Sequence, residues 1–279
     1  MSLPDDDGPN AAQIAYWTSN GRTWVAMQGA LDAQLRDLGL AAMAALGVRE
    51  GERLIDIGCG CGDTTLELAR RVAGGGSVLG ADISAPMLEV ARRRAGELGL
   101  GWARFVEADA QIHDFEPADA AFSRFGVMFF ADPAAAFANI RGALAPAGRL
   151  AFVCWRALAE NHWMTIPMGA VAPLLPPTPP PPPNAPGPFA FADRDRVHGI
   201  LSEAGFTQIS IEPHDQAIGQ RDLETTVRTS LNVGPVGAAL RENPLLKAPI
   251  TAAVRAALAP HAGADGVKLP SATWIVTAR

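Results

Sequence analysis

Cysteine is scarce in this sequence, and so are clustered histidine and positive charge. Three cysteines in 279 residues cannot build a disulfide framework. The odd count suits a reducing compartment, and the expected location is cytoplasmic. Cys59 and Cys61 form Cys-x-Cys, but no second cysteine pair and no His-x-x-x-His completes a zinc site. With five scattered histidines besides, no metal is expected. Lys and Arg number 23 against 29 Asp and Glu, a formal net charge of −6. That balance argues against a general nucleic-acid binder, which needs a basic face to displace counterions. No apolar run reaches the length of a membrane span. Asp5, Asp6 and Asp7 give the start the wrong charge for a signal or transit peptide. Hydrophobic residues make up 48% and charged residues 19%, the balance of a globular chain and not of a disordered one.

Strands and helices alternate from residue 53 onward. The apolar segments Arg53–Ile57, Ser77–Ala81, Trp102–Glu107, Ala120–Ser123 and Arg149–Trp155 read as buried strands. Helix-sized segments lie between them, including Thr64–Val72, Ala85–Leu98 and Pro133–Leu144. Such βαβ units imply a mostly parallel, doubly wound sheet with helices on both faces. Its ligand crevice should open at the carboxyl ends of the strands. Ahead of this core, residues 1–10 read as a disordered tail. Ala11–Gln28 reads as an aromatic amphipathic segment, and Leu31–Leu46 as a helix ended by Gly47. Residues 1–46 therefore form a tail and cap helices before a domain over 47–279. Within that domain, ten prolines between Pro173 and Pro188 predict a stiff polyproline II loop. Phe206–Glu212 and Ala272–Ala278 read as an antiparallel strand pair enclosing a helical insertion over 221–259.

The densest motif is Asp56-Ile-Gly58-Cys59-Gly60-Cys-Gly62-Asp63-Thr64. A buried strand runs into glycines and then a helix, so a ligand can approach the loop amides unobstructed. A dinucleotide fingerprint needs a third glycine where Asp63 stands. Asp56 adds a negative charge that suits a cationic ligand or an ammonium better than a pyrophosphate. Asp82, at the end of the second strand, is placed to accept both hydroxyl hydrogens of a ribose, with Ser84 left to cap the next helix. Asp109, after the third strand, is placed to accept an adenine amino hydrogen, with the Ala110 amide beside it.

These residues resemble the class I S-adenosylmethionine-dependent methyltransferases, on the side of the ubiquinone/menaquinone C-methyltransferases. Asp56-x-Gly58-x-Gly60-x-Gly62 resembles the family's glycine motif, Gly80-Ala-Asp82-Ile83-Ser84 its acidic motif, and Asp109-Ala110 its adenine pair. Ser123–Pro133 and Leu144–Gly148 resemble the segments around its fourth and fifth strands. The resemblance implies a Rossmann-like, seven-stranded sheet with an antiparallel last strand and a helical cap. It implies S-adenosyl-L-methionine as donor and S-adenosyl-L-homocysteine as product. The donor would be held by Asp56, Gly58, Cys59, Gly60, Thr64, Asp82, Ile83, Met87, Asp109, Ala110 and Ser123. The Asn-Pro-Pro-Tyr of DNA and protein-glutamine methyltransferases is absent, because the fourth strand ends in Ser123-Arg124-Phe125. The implied activity is O- or C-methylation of a small molecule, with a homodimer left open as the assembly. Two rivals are a nicotinamide-dependent oxidoreductase and a non-catalytic module that only binds the donor.

Tyr16, Trp17 and Trp24 either face the sulfonium cation or form the docking face of a helix. Phe125, Met128, Phe129, Trp155 and Trp163 fall where the acceptor pocket should lie, and are equally suited to the core. Arg124 either holds an anionic acceptor or pairs with a local carboxylate, and Arg156 is a second candidate for the anion. His162, and after it His113, are the candidate bases for an acceptor proton, against a structural reading of each.

Overall fold

Apolar runs flanked by glycine and aspartate become the central strands, because a parallel strand buried on both faces has no polar side to show. In the computed structural model, which describes residues 8–73, 75–177, 182 and 184–279, these are β1 (Arg53–Ile57), β2 (Ser77–Asp82), β3 (Ala103–Glu107), β4 (Ala118–Arg124) and β5 (Leu144–Trp155). All pair in parallel, in the order β3-β2-β1-β4-β5. Two long strands, β6 (Ser210–Gln220) and β8 (Gly266–Ala278), complete the edge. β8 lies antiparallel between β5 and β6. A two-residue strand, β7 (Ala262–Gly263), pairs with β8 and brings the total to eight. The expected seven-stranded order is thus present with one short addition, made where the chain turns back into β8.

Helices cover both faces. They are α1 (Ala11–Leu46), α2 (Asp63–Val72), α3 (Ala85–Glu97), α4 (Pro133–Ala143), α5 (His162–Val171), α6 (Arg194–Glu203), α7 (Leu223–Asn232), α8 (Gly234–Glu242) and α9 (Lys247–Leu258). Phe122, Phe137, Phe152 and Phe191 fill the centre of the core. A second, smaller core joins Val171 of α5 to Val227, Val236, Ile250, Val254 and Leu258 of the insertion and to Val267 and Leu269 of β8.

Three expectations need correction. The two cap segments are one helix of 36 residues. Its second half supplies Leu31, Leu35, Leu38, Ala42, Met43 and Leu46 to the buried set, while its first half is largely exposed or half-buried. The tail expected over 1–10 falls mainly on residues 1–7, outside the described residues, but Asn10 is buried at 4% exposure. Of the proline loop, 178–181 and 183 lie outside the described residues. Pro173 sits in a 3-10 turn, Ala172–Leu174, rather than in polyproline II, and Gly187 N–H bonds the Met128 carbonyl at 3.0 Å.

β1 has β2 on one side and β4 on the other, so the connections leave it in opposite directions. A crevice opens at the carboxyl end of β1 for that reason.

Candidate donor and acceptor chamber

The crevice is one chamber of 440 Å³, within the range of small-molecule sites. At one end the glycine loop leaves β1. Gly58 and Gly60 have φ of 68° and 53°, a region that side chains strain to adopt. A Cβ on Gly58 would stand 2.7 Å from Gly126 Cα, so this glycine lets the loops after β1 and β4 touch. A Cβ on Gly60 would point at open space, with Met87 Sδ at 3.8 Å. There the glycine keeps the chamber wall bare.

Asp82 braces this loop. Its Oδ2 accepts from Gly60 N–H at 2.8 Å and its Oδ1 from Ser84 N–H at 2.9 Å. Gly60, Asp82, Ile83, Met87, Asp109 and Ala110 all line the chamber, as do Gly58, Cys59 and Thr64. Ser123 does not. It is fully buried, donates to the Ile57 carbonyl at 2.8 Å and accepts from Gly126 N–H at 3.1 Å, so it ties the two loops together. Asp56 is also absent from the lining. Its Oδ2 accepts the hydroxyls of Thr64 and Thr65 at 2.7 and 2.6 Å beneath the loop. The expectation that Asp56 presents its charge to a ligand is corrected accordingly, because these hydroxyls turn it inward. Cys61 shares the lining, and burial pushes its thiol up to about 12, which leaves it protonated and unreactive.

Burial raises the carboxyls of both Asp82 and Asp56 from 3.8 to about 6, against the hydrogen bonds that favour ionisation. The folded chain therefore binds these protons more tightly than the unfolded one. Ligand-free stability from these groups falls as pH rises from about 4 to about 6 and is flat above. A ligand held by ionised Asp82 shows the opposite trend. Affinity for S-adenosylhomocysteine should climb between pH 5 and 7 and then level off, read by calorimetry in wild type and in Asp56→Asn. A flat profile in both would remove Asp82 from the contact.

The other end is apolar. Phe125, whose φ of 62° is unusual for a bulky residue, stacks on Trp155 with centroids 4.1 Å apart. Trp155 leans on Trp163 at 4.9 Å. These three, with Met128 and Phe129, line the chamber, and Leu31, Ile218, Val236 and Leu269 close it from α1, β6, α8 and β8. Trp17 meets Phe129 edge-on at 5.0 Å and Trp24 at 5.4 Å. Tyr16, Trp17 and Trp24 all reach the lining from α1, so docking face and chamber wall are the same surface.

Arg124 lines the chamber with its charge already matched. It bonds Asp63 at 2.9 Å and meets Asp32 of α1 at 3.5 Å. Arg94 closes the network on the same two carboxylates at 3.1 and 3.4 Å. Arg156 is engaged outside the chamber with Asp215 at 2.7 Å, with Glu160, and over the Trp274 ring. Neither candidate base reaches the lining. His162 is exposed at the start of α5, and His113 stands edge-on against Phe115. α5 begins at His162, and it is the next residue, Trp163, that faces the chamber.

Sequence reasoning missed Asn10, Asp32 and Gly21. Asn10 stands at the N-cap position, where its residue type suggests a cap. Asp32 lies in the first turn of the segment read as the helix Leu31–Leu46, where a lone acid reads as a solvated helix start. A mid-helix glycine costs stability against alanine, and that cost was the available signal for Gly21. A Cβ there would lie 2.4 Å from Ser84 Oγ, so α1 docks directly on the acidic loop after β2. Ser84 Oγ donates to the Trp17 carbonyl at 3.2 Å across the same contact.

The family model described as Methyltransferase domain matches residues 54–148. A ubiquinone/menaquinone biosynthesis C-methyltransferase of a Marinomonas species is 36% identical over 177 residues, covering 60% of this chain and 70% of that protein. The demethylmenaquinone methyltransferase of Thermus thermophilus is 44% identical over 101 residues, covering 36% of this chain and 45% of that one. The chain spans about half the length of the first curated relatives it matches. Among solved structures, phosphoethanolamine N-methyltransferase 2 of Haemonchus contortus in complex with S-adenosyl-L-methionine superposes with a TM-score of 0.54 at 18% identity, over 87% of this chain and 52% of that one. At that identity the likeness is one of fold. No helix among the described residues is long and apolar enough to cross a membrane.

Proposed function

Because the chain belongs to the class I S-adenosylmethionine-dependent methyltransferases, we propose that it transfers the methyl group of S-adenosylmethionine to an apolar, aromatic small molecule. The supporting observation is the single chamber that joins a polar end to an aromatic one. Asp82 would take the ribose hydroxyls and Asp109 the adenine amino group. The sulfonium would then face Phe125 and Trp17, whose rings can attract a cation. The acceptor would lie against Phe125, Trp155 and Trp163.

The donor methyl is already activated, so the protein's contribution is alignment and exclusion of water. Holding two reactants in near-attack geometry accounts for about 7–11 kcal/mol of barrier. Held there, S-adenosylmethionine would supply its sulfonium methyl to an acceptor carbon or oxygen in line, with the S–CH₃ electron pair left on sulfur as the thioether. Among the described residues no histidine lines the chamber. That favours an acceptor acidic enough to ionise unaided, such as a hydroxylated quinol or a β-dicarbonyl enol. The relatives' printed names, which concern quinone biosynthesis, support the same class. The nicotinamide reading is set aside by the family, and a binding-only module has no observation in its favour. The matched charges around Arg124 argue against an anionic acceptor at that position. The net charge of −6 argues against nucleic acid. Three free thiols support a reducing, cytoplasmic setting. Under this reading the first half of α1 and the insertion over 221–259 are the cap.

Radiolabelled donor with a panel of hydroxylated naphthoquinols and enols tests the reading, with small polar amines as controls. Transfer to the apolar aromatic set is expected. Trp163→Leu should raise the acceptor KM about tenfold and leave S-adenosylhomocysteine affinity within twofold. Intact donor binding without transfer to any aromatic acceptor would overturn the acceptor class.

A further inference from the structure

Asn10 precedes α1 at the position where an asparagine side chain caps a helix. Its backbone begins the helix, with the Asn10 carbonyl accepting from Gln13 and Ile14 N–H at 2.9 and 3.0 Å. Its side chain makes no cap bond. It turns into the chamber instead, where Nδ2 donates to Asp109 Oδ1 at 3.4 Å. Asn10 is 4% exposed, and its Oδ1 is buried without a partner among the described residues. A buried acceptor left unpaired is costly and calls for a ligand that donates to it. The amide cannot be turned round to relieve this. Flipping it would set Oδ1 against the Asp109 carboxylate, acceptor against acceptor.

We propose that Asn10 Oδ1 and the Asp109 carboxylate form a two-acceptor clamp for the exocyclic amino group of the donor's adenine. The proposal rests on the donor-site reading above. The Gln111 backbone N–H and Asn10 Nδ2 both bond Oδ1 of Asp109, at 3.0 and 3.4 Å, which leaves Oδ2 for a further donor. An amino group carries two hydrogens. One goes to Asp109 Oδ2, the other to Asn10 Oδ1. A 6-oxo base would bring its own acceptor against both oxygens and leave them unpaired, the situation in which polar sites discriminate most strongly. The clamp also ties donor recognition to the first turn of α1. The helix forgoes its side-chain cap, and the bound base would satisfy the side chain that is diverted.

The test uses the full chain and calorimetry with two probes, S-adenosylhomocysteine and its 6-oxo counterpart S-inosylhomocysteine. Wild type should prefer the adenosyl compound. Asn10→Ser supplies a short hydroxyl that caps α1 but does not reach the base. It should weaken the adenosyl compound about tenfold and change the inosyl compound by less than about twofold, the range of one lost hydrogen bond. The ligand-free melting temperature should hold or rise, since the cap is restored. Equal weakening of both probes would mean a purely structural role, and unchanged affinity for both would mean that Oδ1 serves a solvent molecule. Either result overturns the clamp. Failure of the donor site itself reads differently: wild type would bind neither probe, or Asp82→Ala would bind as wild type does, and the clamp would fall with it.

Discussion

Replacing Asp82 by alanine weakens S-adenosylhomocysteine binding by about 2–4 kcal/mol, a loss of roughly thirty- to a thousandfold in affinity. Each carboxylate oxygen holds one loop amide, Gly60 at 2.8 Å and Ser84 at 2.9 Å. Each keeps lone-pair capacity for one ribose hydroxyl. Alanine therefore removes two charge-assisted bonds to the ligand and releases two amides that shape the wall. The sheet does not depend on this side chain, because β2 is held by β1 and β3 along its whole length. Circular dichroism should show a folded chain, and calorimetry the lost affinity. A folded variant with wild-type affinity would remove the polar end of the chamber from the donor.

Deleting residues 1–28 cuts turnover by about a hundredfold or more while the sheet stays folded. The burial pattern of α1 divides the helix. Leu31, Leu35, Leu38, Ala42, Met43 and Leu46 are core, whereas only Gly21 and Met27 are buried between residues 11 and 30. The deletion thus keeps the packing half and removes Asn10, Tyr16, Trp17 and Trp24, all chamber residues. Water then reaches the reacting centre and the acceptor loses one wall. Donor affinity should also fall by about tenfold, through the lost Asn10 contact and the opened crevice. Gly21→Val is the milder version. A side chain there meets Ser84 Oγ and Pro86, so it wedges the helix away from the donor loop without shortening it. Loss of turnover in both variants with an intact melting transition assigns the lid. Full activity after the deletion would leave the segment as an ordinary packing helix.

The alternating core was legible because its signals are local. β1 and β2 are apolar runs bounded by Gly or Asp, and burial of both faces enforces that composition. α4 begins with Asp132-Pro133, and Asp132 does accept from Ala135 N–H at 3.0 Å. Reading failed where tertiary contact overrode local chemistry. The sixth strand reads as Phe206–Glu212 in the sequence, yet β6 starts at Ser210 and runs through Pro213 to Gln220; it is an edge strand, where a missing N–H costs least. α5 has no element assigned to it in the sequence reading and carries Pro167 inside it; buried Met164 and Val171 anchor it regardless. The polar end of the chamber was legible for the same local reason, since Asp82 and Asp109 stand at strand ends. At the aromatic end, Phe125, Met128, Phe129, Trp155 and Trp163 were legible from their places after the fourth and fifth strands, whereas the closure by Leu31, Ile218, Val236 and Leu269 was not, because no spacing connects α1, β6, α8 and β8. Asn10 was hidden by its own position, because an asparagine before a helix reads as a cap.

The most direct measurement is a crystal structure of the full chain grown with S-adenosylhomocysteine. It should show adenine between Asp109 and Asn10, the ribose hydroxyls on Asp82, and the sulfur turned toward Phe125 and Trp17. Well-ordered ligand bound anywhere else, or a chamber left empty at saturating ligand, would contradict the joined donor and acceptor site.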